Sequence, residues 1–332
     1  MSDFVRVFAP GLLGGEPIPR AVAAGRLENL AQKVVPYKWS FLMAEWRVYP
    51  DGGTPWQTVA RAERIPGSMD DFTDVTYEVD EGLAWITINR PDRYNAFRAR
   101  TVDELVLSFK RAWASDDVGV VALTGAGDKA FCAGGDQKQR METGDYGPSQ
   151  SGLFEVDALH RVIRDTPKPV IAAVNGLAIG GGHVLHVLCD LTIAADTAQF
   201  GQNGPRVGSF DAGMGSGYLA RVIGEKRTRE LWFMLRRLSA AEALDWGLIN
   251  KVVPADQLRA EVRAWADQML KFSPTALKVL KQSLNTDTEH FMGIGAMAYT
   301  TLKLFGETAE AQEGIAAFND KREPDFSKYR GA

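Results

Sequence analysis

The run FGQNGPRVGSFDAGMGSGYLAR, Phe200 to Arg221, sets six glycines around one acidic side chain, Asp211. Backbone this rich in glycine makes a poor helix and a poor strand. The stretch therefore reads as bare main chain beside a single carboxylate, a group that can take up or release a proton. Two further glycine turns each follow an apolar, strand-like run: FCAGGDQ, Phe131 to Gln137, and NGLAIGGGHVLH, Asn175 to His186. Turns of this kind let the main chain approach a ligand, and a helix start offers unpaired N–H groups. Brought together, the two turns would present two donors to one oxygen. That is an oxyanion hole, each donor of which is worth about 3 kcal/mol in a transition state. Taken singly, each turn is also what any tight strand-to-helix connection looks like, and neither fits the phosphate-cradling P-loop pattern.

The elements that must hold these turns follow from periodicity. DVTYEVDEGLAWITINRP reads as two alternating strands joined at Asp80-Glu81-Gly82. TVDELVLSFKRAWASD opens with Thr101 and Glu104 at capping-box spacing and continues as a helix. VGVVALTG and PVIAAVNG are nearly all-apolar and suit strands covered on both faces. GGGHVLHVLCD then opens a helix and LTIAAD supplies another strand, so strand and helix alternate as in an α/β fold. The last third is helical: Ser239 and Glu242 repeat the capping-box spacing, and Leu258, Val262, Trp265 and Met269 form a core stripe.

Residues 1–70 differ. PYKWSFLMAEWRVYPDGGTPWQ mixes tryptophans with Pro and Gly without a clean period, and is too aromatic for a disordered tail. It reads as an irregular arm, packed on the body or on another subunit. The divisions expected are the arm, a core over 71–255 and a helical region over 256–332.

The 332 residues are 45% hydrophobic and 24% charged, enough apolar chain to bury a sizeable core. A net charge of -4 with no basic run argues against a nucleic-acid partner. No apolar run approaches the roughly 18 residues of a membrane span, and the N-terminus lacks a signal-peptide pattern. A cytoplasmic protein is expected. Cys132 and Cys189 sit in apolar runs and read as buried free thiols. His183 and His186 share one helix face but lack a third ligand, so they read as packing residues and no metal is expected.

Several motifs taken together, ITINRPDRYNAF, AFCAGGDQ, GLAIGGGHVLHVLCDLTIAAD, FGQNGPRVGSFD and DKREPDFSKY, resemble the crotonase superfamily of acyl-CoA enzymes. Within it they are most similar to 1,4-dihydroxy-2-naphthoyl-CoA synthases and 2-ketocyclohexanecarboxyl-CoA hydrolases. The resemblance runs from about residue 72 to the C-terminus. It implies an α/β spiral of ββα turns with a C-terminal helical region, trimers that pair into hexamers, and a CoA thioester as substrate, without redox cofactor or metal.

By the same resemblance the oxyanion donors map to the backbone of Ala133 and Gly181. The two glutamates of hydratases map to Val184 and Gly204, neither of which can transfer a proton. Asp211 and Ser209 match residues placed over the reacting carbons. Bicarbonate, the base in many relatives, is implied at Gln202, Asn203, Gly204 and Trp232. Gly134, Gly135, Asp136, Gln137, Tyr146, Leu177, Ala178, Ile179, Gly180 and Lys321 match substrate- and CoA-contacting positions. Tyr94 stands where naphthoyl-CoA synthases have a phosphate-binding arginine, and Met214 and Gly306 stand where they have tyrosines.

The expected activity is carbon–carbon bond making or breaking in a cyclic β-keto thioester. Ring closure of the menaquinone-pathway type comes first and ring-opening hydrolysis second. A catalytically silent subunit docked through the arm is the reading of another class.

Overall fold

The computed structural model describes residues 71–150 and 152–331, so the expected arm over 1–70 lies outside the described residues. Val75–Asp80 (β1) and Leu83–Ile88 (β2) form the antiparallel hairpin that the alternation around Asp80-Glu81-Gly82 anticipates. β2 is nevertheless buried on both sides. Its Ala84, Ile86 and Ile88 enter one core, while Leu83 and Trp85 enter another. The alternation there sorts residues between two apolar layers rather than between core and water.

Ala99–Ala114 (α1) follows, then Val120–Gly125 (β3), Ala130–Cys132 (β4), Gln137–Thr143 (α2) and Val156–Asp165 (α3). The next turn runs Val170–Val174 (β5), Leu177–Ile179 (β6) and Gly181–Leu188 (α4), and a third opens with Leu191–Ala195 (β7) and Gln199–Gly201 (β8). Each turn gives one longer strand to a six-stranded sheet, ordered β1-β2-β3-β5-β7 and closed by Lys251–Val253. Each also gives one short strand to a second sheet, β4-β6-β8, closed by Arg237–Ser239. This is the ββα spiral, and beyond the first hairpin the larger sheet is parallel throughout.

Between the sheets' last strands lie Leu219–Ile223 (α5), Glu225–Phe233 (α6), Arg237–Ser239 (β9) and Ala240–Asp245 (α7), with Lys251–Val253 as β10. Leu258–Met269 (α8), Pro274–Thr286 (α9), His290–Gly306 (α10) and Ala309–Asn319 (α11) complete the chain. Leu258, Val262 and Ala266 of α8 pack on the face of the large sheet that α1 leaves free. Ser239 and Glu242 form the expected capping box: Ser239 N–H donates to Glu242 Oε2 at 2.8 Å and Glu242 N–H to Ser239 Oγ at 3.3 Å.

The other capping box is different. α1 begins at Ala99, so Thr101 is its third residue, and Thr101 Oγ1 accepts from Arg98 N–H at 3.2 Å. Glu104, which the spacing pairs with Thr101, instead accepts from the backbone N–H groups of Thr73, Asp74 and Val75. It ties the chain entering β1 to α1. Asp74 lies beside it, buried, accepting from Arg98 Nε at 2.8 Å and Thr101 Oγ1 at 2.6 Å.

Burial alone would push the Asp74 carboxyl up. The hydrogen bonds from Arg98 and Thr101 and the charges of Arg98 and Arg90 outweigh it and hold it at about 2, against an ordinary 3.8. A depressed carboxylate adds stability that is complete above its unfolded pKa and is lost as pH falls through the folded one. Melting curves of the wild type and Asp74→Asn should thus differ by a constant amount above about pH 5. The difference should shrink between pH 4 and 2, and a gap independent of pH would contradict this origin.

Candidate active site

β4 and β6 pair in parallel, Ala130 opposite Leu177 and Cys132 opposite Ala178, so the glycine turns that follow them emerge side by side. Their main chains are nearly in contact: a Cβ on Gly134 would lie 3.1 Å from Gly181 N. Gly181 opens α4, and its N–H has no acceptor among the described residues, as a first-turn donor should. Ala133 is the correction. Its N–H donates to Tyr94 O at 3.0 Å and is not free to bind an oxyanion.

The free donor of that turn is Gly135. Phe97 brackets it, with Phe97 N–H donating to Gly134 O at 2.8 Å and Asp136 N–H to Phe97 O at 2.9 Å. That bridge leaves the intervening Gly135 N–H without an acceptor among the described residues, while Gln137 Nε2 donates to Gly135 O at 3.2 Å. Gly135 and Gly181 are therefore the two available donors, and both line one cavity of about 540 Å³.

Asp211 faces the same cavity. Its Oδ1 accepts from Gly215 N–H at 2.7 Å, and a Cβ on Gly215 would sit 2.8 Å from the carboxyl group. Bare backbone at 215 is what lets the carboxylate lie against the main chain. The stretch is not wholly irregular: Gly204–Val207 is a 3-10 turn, and Met214–Tyr218 is a π-turn running into α5. Side chains supply what glycines lack, since Ser216 Oγ accepts from Gly213 N–H at 3.0 Å and Asp211 takes the next free donor. Burial pushes the Asp211 carboxyl above 3.8, and the His160 imidazole and the Gly215 hydrogen bond oppose it.

Gly134, Tyr146, Gly180, Asn203, Ser209 and Lys321 line the cavity as well. Tyr146 lies directly on the oxyanion turn, its ring atoms 2.5–2.8 Å from where a Gly135 Cβ would be. Leu177, Ala178 and Ile179 do not reach the cavity. They are β6 itself, held between β4 and β8, and they support the glycines rather than contact a ligand. Asp136 is a pin: buried, ion-paired with Arg90 at 2.9 Å, it caps α2 through Gln139 N–H at 3.1 Å.

Five lining residues carry no sequence signal of their own. Phe97 and Phe154 form an aromatic wall with Tyr146, whose ring stacks on Phe154 at 4.5 Å. Arg93 lines the cavity beside Tyr94 and brings back a guanidinium where the resemblance lacks one. Tyr299 of α10 hydrogen-bonds to His160 of α3. A lone histidine and a tyrosine in a helical stripe look like core until the fold brings them together.

The hydratase carboxylate positions are closed. Val184 is wholly buried in the core. A Cβ on Gly204 would stand 2.7 Å from Ser209 O and 3.1 Å from Trp232, so there is no vacant space there for a longer side chain.

A small planar anion fits in part of the expected way. Gln202 Nε2 is buried without a hydrogen-bond partner among the described residues, and Gly204 N–H also lacks one. Trp232 departs from the expectation, because its Nε1–H is donated to Gly215 O at 2.6 Å. Bicarbonate at this site would be held by Gln202 and Gly204, with Trp232 as an apolar wall. Met214 is buried, and Gly306 faces Arg140 Nη2.

Two convergent N–H groups and an adjoining half-buried carboxylate on a ββα spiral define a class, the crotonase-fold proteins with an oxyanion-type cleft. Residues 78–329 match the family described as enoyl-CoA hydratase/isomerase. An enoyl-CoA hydratase structure from Mycobacterium avium subsp. paratuberculosis K-10 is 27% identical with a TM-score of 0.68, over 76% of this chain and 98% of that one. A carnitinyl-CoA hydratase from Mycobacterium avium is 30% identical with a TM-score of 0.68, over 77% and 98%. An enoyl-CoA hydratase from Bacillus anthracis is 30% identical with a TM-score of 0.59, over 76% and 99%. The chain belongs to the enoyl-CoA hydratase/isomerase family of the crotonase superfamily, whose members act on acyl-CoA thioesters. No helix among the described residues is long and apolar enough to cross a membrane.

Gly215→Ala should displace the Asp211 carboxylate while leaving the fold intact. Misplacement of a reacting group by about 1 Å costs on the order of 10² in turnover. Acyl-CoA affinity should change little, and wild-type turnover in this variant would show that the close approach is immaterial.

Proposed function

We propose that the chain is an acyl-CoA enzyme making or breaking a carbon–carbon bond in a cyclic β-keto thioester. The first reading is ring closure of the 1,4-dihydroxy-2-naphthoyl-CoA type. The observation that carries it is Asp211: a half-buried carboxylate whose pKa is raised by desolvation, in a cavity whose two hydratase positions offer no carboxylate. Simple hydration needs a pair of proton-transfer groups where this chain has Val184 and a crowded Gly204. The names of the similar structures do not decide the matter, because hydratase activity is said of those proteins.

The steps follow from the residues. The thioester oxygen sits between Gly135 and Gly181 N–H, which stabilise charge that develops on it. Asp211 takes the α-proton, and raised basicity helps it do so. The aromatic wall of Phe97, Tyr146 and Phe154 suits a flat acyl group and excludes water. Arg93, Lys138 and Lys321 line the cavity and suit the phosphates of CoA. Bicarbonate held by Gln202 and Gly204 would supply an exchangeable base. Ring opening is the second reading, favoured because neither Met214 nor Gly306 offers the phenol that ring closure uses in relatives.

The deciding experiment offers the enzyme 2-ketocyclohexanecarboxyl-CoA and the open-chain thioester that closes to 1,4-dihydroxy-2-naphthoyl-CoA, with products read by mass. Asp211→Asn should lower turnover about 10²–10⁴-fold on whichever is used, with CoA binding kept. The acid limb of the wild-type pH–rate profile should lie above the ordinary carboxylate value of 3.8, since burial raises Asp211. Conversion of neither substrate together with hydration of a simple enoyl-CoA would overturn the reading.

The bicarbonate expectation is checked by binding. Carbon-13 bicarbonate should show saturable line broadening with the wild type and not with Gln202→Leu. Equal broadening by both would remove Gln202 from the site.

A further inference from the structure

Asp211 accounts for one proton, yet opening or closing a ring moves two. The wall that α3 and α10 add to the cavity holds side chains able to handle the second. His160 projects from α3 and Tyr299 from α10, and both line the cavity that contains Asp211. Tyr299 Oη lies 3.2 Å from His160 Nδ1, with the rings 5.9 Å apart and tilted by 56°. His160 is only 4% exposed, and its other ring nitrogen has no hydrogen-bond partner among the described residues.

Burial lowers the His160 pKa, against the pull of the Asp211 and Asp157 carboxylates, so the imidazole is neutral near pH 7. Burial first, then the charges of Asp211 and Asp157, push the Tyr299 phenol well above its ordinary 10.0. The phenol keeps its proton until a stronger base arises beside it. A neutral imidazole donates from one nitrogen only. With the proton on Nδ1, His160 donates to Tyr299 Oη and leaves the phenol proton free to face the cavity.

We propose that Tyr299 is a second catalytic residue, giving a proton to the reacting acyl group, and that His160 positions it. The proposal rests on the carbon–carbon reading and deepens it. In ring closure Asp211 takes the α-proton, and the enolate carbon bonds to the carbon of the acyl chain's terminal carboxylic acid. The carbon–oxygen bond to the departing hydroxyl breaks with its electron pair, and that oxygen takes the Tyr299 proton and leaves as water. In ring opening a solvent water gives a proton to Asp211 as its oxygen bonds to the ring carbonyl carbon. The ring carbon–carbon bond then breaks, its electron pair passes into the thioester as an enolate, and the α-carbon takes the Tyr299 proton. In both cases the phenolate accepts a hydrogen bond from His160 Nδ1–H and regains its proton from protonated Asp211. The net change is one water lost or gained.

The test uses the full chain and the two β-keto thioester reactions above. Tyr299→Phe should lower kcat about 10²-fold or more with KM within a few-fold. His160→Gln, which keeps an N–H for Tyr299, should retain most of kcat, while His160→Ala falls toward the Tyr299→Phe value. Acetoacetyl-CoA serves as a separate probe, because acceleration of its α-proton exchange above the rate in deuterated buffer alone needs only the oxyanion donors and Asp211. Tyr299→Phe should preserve that exchange and Asp211→Asn should lose it.

Exchange retained by Asp211→Asn would remove the underlying base assignment. Normal kcat in Tyr299→Phe, with exchange lost in Asp211→Asn, would overturn this proposal alone. So would equal activity of His160→Ala and wild type, whereas a wild type that exchanges α-protons yet converts neither substrate would overturn the carbon–carbon reading on which the proposal rests.

Discussion

The parallel pairing of β4 with β6 is the contact on which the site depends. Each strand has only three residues, too short to be stable alone. The spiral holds them together because each is tethered to a longer, fully buried strand of the large sheet, β3 and β5. A site whose two donors must converge on one oxygen cannot tolerate slippage between its supports. Here the tolerance is set by two apolar layers packed on either face of the large sheet, where close packing resists displacement.

Much of the spiral was legible because its causes are local. The hairpin from Val75 to Ile88 declares itself by alternation and an acidic-Gly turn, and Ser239 with Glu242 is complete within four residues. Thr101 and Glu104 have the same spacing and a different outcome, since Glu104 is claimed by backbone about 30 residues earlier. Spacing cannot see a competitor at that distance. Burial of β2 on both faces was hidden for a related reason: α8, which covers the second face, lies far along the chain.

The site divides the same way. That FCAGGDQ and AIGGGH lie side by side at one cavity was readable, as was the pairing of glycine with Asp211. Which N–H of the first turn is left free was not, because Tyr94 and Phe97 decide it by taking the N–H of Ala133 and bracketing Gly135. His160 and Tyr299 are 139 residues apart and share no motif. The resemblance puts Trp232 at the bicarbonate position, but its indole N–H is donated to Gly215 O of the glycine-rich loop. Each miss is a hydrogen bond whose two partners are brought together only by the fold.

The Asp211 carboxylate lies against a backbone amide, and the histidine beside it is held neutral by burial. An enolate formed between Gly135 and Gly181 would be negative just as Asp211, having taken the proton, becomes neutral. The reacting pair of Asp211 and acyl group then carries one negative charge before the step and one after it. Charge is relocated inside a poorly solvated space rather than created there, so the large cost of generating a new ion in a low-dielectric medium does not arise. A cleft organised in this way can form a thioester enolate with backbone dipoles as its electrostatic support.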